Sequence, residues 1–70
     1  MKKYEIEWET DDFNGDYFTT YDEDEAEKEF SEITEDGATV WATLKEYYIY
    51  GGICQGEKLL QEYNREDGEK

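Results

Sequence analysis

Apolar and charged residues alternate at the beginning of the chain. Tyr4, Ile6 and Trp8 are separated from one another by single glutamates. A period of two is typical of a β-strand that buries one face. The dipeptide Asn14–Gly15 follows and predicts a hairpin turn, because both residue types tolerate positive φ. Residues 17–21 are aromatic or β-branched and predict the second strand.

The apolar period changes to that of a helix after residue 21. A narrow apolar stripe at positions i, i+4 and i+7 consists of Ala26, Phe30 and Ile33. Asp22 is placed to cap the N-terminus of this helix. Gly37 is placed to end it. The pattern therefore predicts a helix from residue 23 to residue 35 or 36.

The second half of the chain begins with an apolar segment that predicts one long strand over residues 38–50. Gly51–Gly52 then indicates a bulge, a bend or the end of the strand. Gln55–Gly56 is the next candidate turn. Residues 57–64 fit either a short helix or a strand, and the strand is favoured because it gives the long third strand a partner. Residues 65–70 are polar and are expected to fray.

These elements predict an α+β fold in a single domain over residues 1–70. An antiparallel sheet in β-β-α-β-β order carries one helix on one face, and the last element is the one with a helical alternative. One helix cannot cover all the large apolar side chains of such a sheet. We therefore expect an uncovered aromatic face, a contact surface for a partner or a second copy, formed by Tyr17, Tyr21, Trp41, Tyr47 and Ile49.

The net charge of the chain is −14, and it is concentrated in one half. Residues 5–36 hold fifteen acids and one base, whereas residues 37–70 hold six acids and four bases. This asymmetry indicates an interaction face or, in the simpler alternative, a solvating surface. The sign of the charge argues against direct binding of DNA, RNA or an anionic membrane. No apolar run approaches the roughly 18 residues that a membrane span needs.

Residue types that carry common chemistry are scarce. The chain has no histidine, which excludes imidazole metal sites and the usual Ser-His and Cys-His pairs. Residues 10–21 place Gly15 as in a calcium loop but lack the acids that the first and twelfth positions need. Cys54 is alone, which suits a reducing compartment. We expect no enzyme activity, no catalytic residue, no metal and no cofactor.

Two rows of carboxylates are the feature that suggests a function. On a strand, Glu5, Glu7 and Glu9 lie about 6.6–6.8 Å apart on one face. DNA places a phosphate about every 3.4 Å along each strand. A second row, on the helix, runs from Glu25 to Asp36. The candidate partner-binding residues are Glu5, Glu7, Glu9, Asp11, Asp12, Asp16, Asp24, Glu25, Glu29, Glu32 and Asp36.

A short, strongly acidic, aromatic-rich α+β chain resembles the small inhibitor proteins of bacteriophages and mobile elements. The resemblance is one of size, charge and layout. Some of these inhibitors imitate DNA and block nucleic-acid-handling enzymes. The resemblance implies a non-enzymatic acidic protein that modulates a basic nucleic-acid-handling protein in the cytoplasm of a bacterial host. The alternative is a protein-protein interaction module, or a homodimer, that uses the aromatic sheet face.

Overall fold

The computed structural model describes residues 1–65. Its elements in chain order are β1 (Lys2–Thr10), β2 (Gly15–Thr20), α1 (Glu23–Glu35), β3 (Thr39–Tyr50) and β4 (Ile53–Asn64). The four strands form one antiparallel sheet in the order β2-β1-β3-β4. The predicted α+β fold and its β-β-α-β-β order are confirmed, and the ambiguous last segment is a strand.

The hydrophobic core lies between α1 and one face of the sheet. Its buried residues are Tyr4, Ile6, Ala26, Phe30, Ala42 and Leu44. The strand residues among them alternate with polar ones, so a period of two brings them to the same face. Burying a side chain such as that of Ile6 or Leu44 contributes about 1.5–3 kcal/mol, so this small core accounts for much of the stability.

The N-terminus of α1 is capped as the sequence predicts. The Asp22 carboxylate accepts hydrogen bonds from the backbone N–H of Asp24 at 2.9 Å and of Glu25 at 3.4 Å. The Thr20 hydroxyl accepts from the N–H of Asp22 and donates to the Glu25 carboxylate. Thr20 therefore links β2 to the first turn of the helix.

The C-terminus of α1 lies where the sequence predicts, but Gly37 does not adopt the left-handed conformation that often follows a helix. The helix ends at Asp36 in an extended conformation, with φ −74° and ψ 121°. The hydroxyl of the buried residue Thr39 donates to the carbonyl of Ile33 at 2.7 Å. A helix end needs partners for its last carbonyls. Here β3 supplies one of them, so no left-handed glycine is required.

The hairpin predicted from Asn14–Gly15 is present, but its turn begins earlier in the chain than this dipeptide. The β1–β2 loop spans residues 11–14, and its positive φ of 66° falls on Phe13. The loop closes through the N–H of Thr10, which donates to the Asn14 carbonyl at 2.9 Å. The Asn14 side chain donates to the Asp12 carboxylate at 2.9 Å. This polar network stabilises a longer loop than the dipeptide alone indicates.

The chain turns between β3 and β4 at Gly51–Gly52. These glycines have φ values of 62° and 79°, as a two-residue hairpin turn with positive φ at both positions requires. Tyr50 pairs with Ile53 across this turn. The alternative turn predicted at Gln55–Gly56 is wrong, because both residues belong to β4.

Arg65 belongs to the folded body, although it was expected in the frayed end. Its backbone N–H donates to the Val40 carbonyl at 2.8 Å. Its guanidinium lies 3.1 Å from the Asp11 carboxylate and 2.9 Å from the Gly37 carbonyl. The rest of the predicted frayed end, residues 66–70, lies outside the described residues.

The molecule is elongated, with extents of 46 × 19 × 18 Å. A twelve-residue strand is about 40 Å long, so the long axis runs along β3 and β4. Lys2 pairs with Tyr48, and the turn at residues 51–52 therefore extends past the end of β1. Across residues 1–65, no helix has both the length and the apolar character needed to cross a bilayer.

Candidate interaction surface

The outer side of α1 is densely acidic. Its thirteen residues include seven carboxylates and one base, Lys28. At about 1.5 Å per residue the helix is about 20 Å long, which places one carboxylate about every 2.8 Å. That density lies between the phosphate spacing of about 3.4 Å in one DNA strand and about 1.7 Å in the duplex.

The helix carboxylates have little compensation. The ion pairs within residues 1–65 are Lys2–Glu46, Lys45–Glu57 and Asp11–Arg65, and none includes a residue of α1. The last turn carries no base, although cations are the favoured charges there. Glu32 and Glu35 therefore stand where the helix dipole opposes them. This arrangement does not serve helix stability.

The predicted helix row lies along one flank of α1. Its members recur at intervals of four, three and four residues and are Glu25, Glu29, Glu32 and Asp36. The contact between Glu25 and Thr20 shows that this flank is the one beside β2. Asp24 lies nearer the outermost side. Two members of the row also stabilise the fold. Glu25 accepts from the Thr20 hydroxyl, and Asp36 accepts from the N–H of Ala38 at 2.9 Å.

The strand row lies on the opposite side of the sheet from α1. Tyr4 and Ile6 are buried under the helix, so the alternating residues Glu5, Glu7 and Glu9 point away from it. The two rows therefore lie on different sides of the molecule and do not form one continuous face. We call the sheet face that points away from α1 the open face.

The open face mixes carboxylates with aromatic rings. The Trp41 indole N–H donates to the Glu9 carboxylate at 2.8 Å, and the Tyr47 hydroxyl donates to Glu5 at 2.9 Å. Both rings are half-buried. The expected uncovered aromatic face is therefore a mixed surface, and the acidic strand row and the aromatic face are one surface rather than two.

These contacts change the proton affinity of one tyrosine. Burial, the hydrogen bond to Glu5 and the charges of Glu5, Glu57 and Glu7 raise the pKa of Tyr47 to about 12. A phenol that donates to a carboxylate is held in its neutral form. Tyr47 is therefore a fixed hydrogen-bond donor over the physiological pH range, and it orients Glu5.

A groove of about 310 Å³ opens on this face between Tyr17 and Trp41. Glu7 and Glu9 line it as well. Within residues 1–65, the Glu7 carboxylate takes part in no side-chain hydrogen bond or ion pair, whereas the Glu9 carboxylate accepts from Trp41. Aromatic faces beside carboxylates favour a guanidinium or ammonium group. The groove can thus accept a cationic side chain.

The first-hairpin acids stabilise their own loop. Asp11 pairs with Arg65, and the Asp16 carboxylate accepts from the N–H of Tyr17 at 2.8 Å. The hydrogen bond from the Thr10 hydroxyl holds the pKa of Asp12 below its usual range. These three acids lie near one end of the sheet. Over residues 1–65, no cluster of three or more acidic or thiol side chains is arranged to hold a metal ion.

No protein-family profile, no curated protein and no solved structure matches this chain.

Proposed function

We propose that the chain is a non-enzymatic binding protein that occupies a basic site on a nucleic-acid-handling protein and so modulates it. The observation that carries the proposal is the row of α1 carboxylates, which lack ion pairs within residues 1–65 and are spaced at a density close to that of DNA phosphates. A helix that packs against a sheet holds such charges in a fixed array. A basic groove that binds DNA phosphates can bind this array of carboxylates in their place.

The position of the charges supports a role in binding over one in solvation alone. Each acid near the C-terminus of a helix is unfavourable by about 0.3–1 kcal/mol at low ionic strength. Glu32 and Glu35 bear this cost with no base in the last turn. The unpaired Cys54 fits a reducing compartment such as the bacterial cytoplasm.

The experiment uses DNA-binding proteins from a bacterial lysate that are retained on immobilised DNA. The purified chain is applied at moderate salt, and the released proteins are identified. Polyglutamate of equal total charge is the control. We expect the chain to release a small set of proteins that polyglutamate leaves bound, since a fixed array discriminates where a flexible polyanion does not. Release that only matches polyglutamate would contradict the proposal.

Matched variants then test the helix surface. The triple change Glu29→Gln, Glu32→Gln and Glu35→Gln removes charge but keeps helix propensity. The control changes Glu62, Glu66 and Glu69 to Gln in the last part of the chain, which alters the net charge equally and leaves the Lys2–Glu46 and Lys45–Glu57 ion pairs intact. We expect the helix variant to lose about tenfold or more in affinity for the released protein, mainly through slower association, with a smaller salt dependence.

The melting temperature of the variants is a second measurement in this experiment. Removing acids from the C-terminal half of α1 relieves their unfavourable interaction with the dipole, so the helix variant should melt at a higher temperature than the parent. Weaker binding by a more stable protein cannot result from unfolding. Equal losses in the two triple variants would indicate a nonspecific charge effect.

The groove on the open face favours a second candidate, an interaction module that binds a cationic side chain between Tyr17 and Trp41. Binding of this kind depends less on salt and more on the aromatic surface. Tyr17 is exposed, so Tyr17→Ser tests it with little effect on the fold. Loss of binding in Tyr17→Ser, with full binding in the helix variant, would favour this candidate over the first.

A further inference from the structure

The tip of the β3–β4 hairpin differs in charge from the rest of the molecule. Residues 47–56, with the sequence YYIYGGICQG, contain no charged side chain, although 40% of the chain is charged. We call these residues the uncharged tip. They lie at one end of the 46 Å long axis; Tyr47 still contacts the acidic strand row through Glu5, and the residues beyond Tyr48 extend past the end of β1.

The uncharged tip exposes large apolar side chains. Tyr48 is 50% exposed, Tyr50 71% and Ile53 65%. All three lie on the same side of the hairpin, because Tyr48 and Tyr50 continue the alternation of Leu44 and because Ile53 pairs with Tyr50. This is the side of the sheet on which α1 packs, but the exposures show that α1 does not cover them.

We propose that the uncharged tip binds a second copy of the chain, which makes a two-fold symmetric dimer joined at the hairpins. Two chains of charge −14 repel each other wherever their acidic bodies approach. Contact at the tips places those bodies at opposite ends of a long particle. The Debye length is about 8 Å at physiological ionic strength, so the repulsion across such a distance is largely screened.

The available surface is sufficient for such a dimer. A stable interface buries about 600–1,000 Å² on each partner, and the accessible surface of the protein is 4844 Å². Such an interface would therefore bury about an eighth to a fifth of the accessible surface of each copy. The tip holds ten of the 65 described residues, and most of them are exposed. Ten of 65 lies between those two fractions, so the tip is large enough in residue number to form such an interface.

The backbone of β4 supports the same contact. β4 is an edge strand of the sheet, so its outer N–H and C=O groups have no strand partner within residues 1–65. An edge strand of this kind pairs readily with another chain. Ile53–Gly56 carries no charge or proline to prevent pairing, and its one irregularity is the register shift opposite Tyr48 and Ile49, which leaves Gln55 out of the β3–β4 ladder. A symmetric contact lets each copy use the same apolar patch and edge. This inference does not depend on the proposed function.

Sedimentation equilibrium over a range of protein and sodium chloride concentrations tests the dimer. We expect the mass to rise from that of one chain to that of two as concentration increases. Dimerisation should tighten with salt, because salt screens the repulsion between acidic bodies without weakening an apolar contact. A chain that remains monomeric up to the millimolar range would overturn the proposal. The tip would then be a contact surface for a different protein.

Two matched tyrosines locate the interface. Tyr50→Glu places a charge in the uncharged tip, whereas Tyr21→Glu makes the same change at a similarly exposed tyrosine between β2 and α1. We expect Tyr50→Glu to weaken dimerisation by about 30-fold or more, as at an interface hot spot, and Tyr21→Glu to leave it unchanged. Ile53→Thr, which keeps strand propensity, should weaken it as well. A dimer as sensitive to Tyr21→Glu as to Tyr50→Glu would overturn the assignment.

Discussion

Phe13 stands in a conformation that suits glycine. Its φ is 66° and the residue is 87% exposed. Hydrophobic burial of the ring therefore does not offset the conformational strain. That conformation costs a non-glycine residue about 1–2 kcal/mol. Glycine loses more chain entropy on folding, which offsets part of the gain.

We predict that Phe13→Gly raises the free energy of unfolding by about 0.5–1 kcal/mol, as measured by urea denaturation. Phe13→Ala is the control, because alanine removes the ring but keeps the strain, and it should be close to neutral. A Gly variant less stable than the Ala variant would show that the loop does not hold Phe13 under strain.

Tyr47 makes stability depend on pH in the alkaline range. Its pKa rises from an ordinary value of 10.0 to about 12 in the folded state. Between these values the folded state binds more protons than the unfolded state, so stability falls as pH rises from 10 through 12. We predict a shallower fall for Tyr47→Phe in denaturation experiments at a series of alkaline pH values. Since the raised pKa of Tyr4 adds its own dependence, Tyr47→Phe reduces the slope without abolishing it.

At the scale of elements, α1 depends on a single large buried side chain. Phe30 is 6% exposed and packs in the core with Ala26. We predict that Phe30→Ala lowers the free energy of unfolding by about 3–5 kcal/mol. Small domains have only about 5–15 kcal/mol in total, so a thermal melt should show a large decrease in midpoint. Ser31→Ala, an exposed change on the same helix, should have little effect.

The elements could be predicted from the sequence, and so could the Asp22 cap of α1, but the β1–β2 loop and the contacts at the end of α1 could not. The alternation in β1 and the i, i+4, i+7 stripe of α1 reflect burial, which local patterning records directly. The β1–β2 loop depends instead on bonds among Thr10, Asp12 and Asn14, which span several residues. The end of α1 depends on Thr39, whose hydroxyl reaches the helix only once β3 has packed. Short sequence signals such as Asn14–Gly15 or Gly37 therefore indicate neither the hydrogen bonds across the loop nor the contact that β3 makes with the helix end.

At the scale of the whole molecule, uncompensated charge opposes folding. Residues 5–36 carry nearly all of the net charge, and the α1 carboxylates have no ion pairs within residues 1–65. We predict that the melting temperature rises between low and moderate sodium chloride, because salt screens this repulsion. The Glu29, Glu32 and Glu35 to Gln variant should show a smaller rise. A flat midpoint would mean that the spacing of the acids makes their repulsion negligible.

The arrangement of the candidate surfaces was only partly predictable. The sequence shows that Glu5, Glu7 and Glu9 share a face, but which face α1 covers follows from Tyr4 and Ile6. The alternation also predicts that Trp41 and Tyr47 lie on the uncovered face, since they are out of phase with Leu44. What the sequence analysis treated separately is that this face is also the one that carries the glutamates. The cross-strand register that joins each ring to its carboxylate is a tertiary property.

The separation of the uncharged tip from the acidic body gives the molecule a permanent electric dipole moment along its long axis. The field of a positively charged surface exerts a torque on this moment, which turns the acidic body toward the surface before contact and leaves the hairpin pointing outward. Adsorption to an anion-exchange resin should therefore be oriented rather than random. Cys54, an exposed thiol in the tip, should remain as reactive toward a thiol reagent on the resin as it is in free solution.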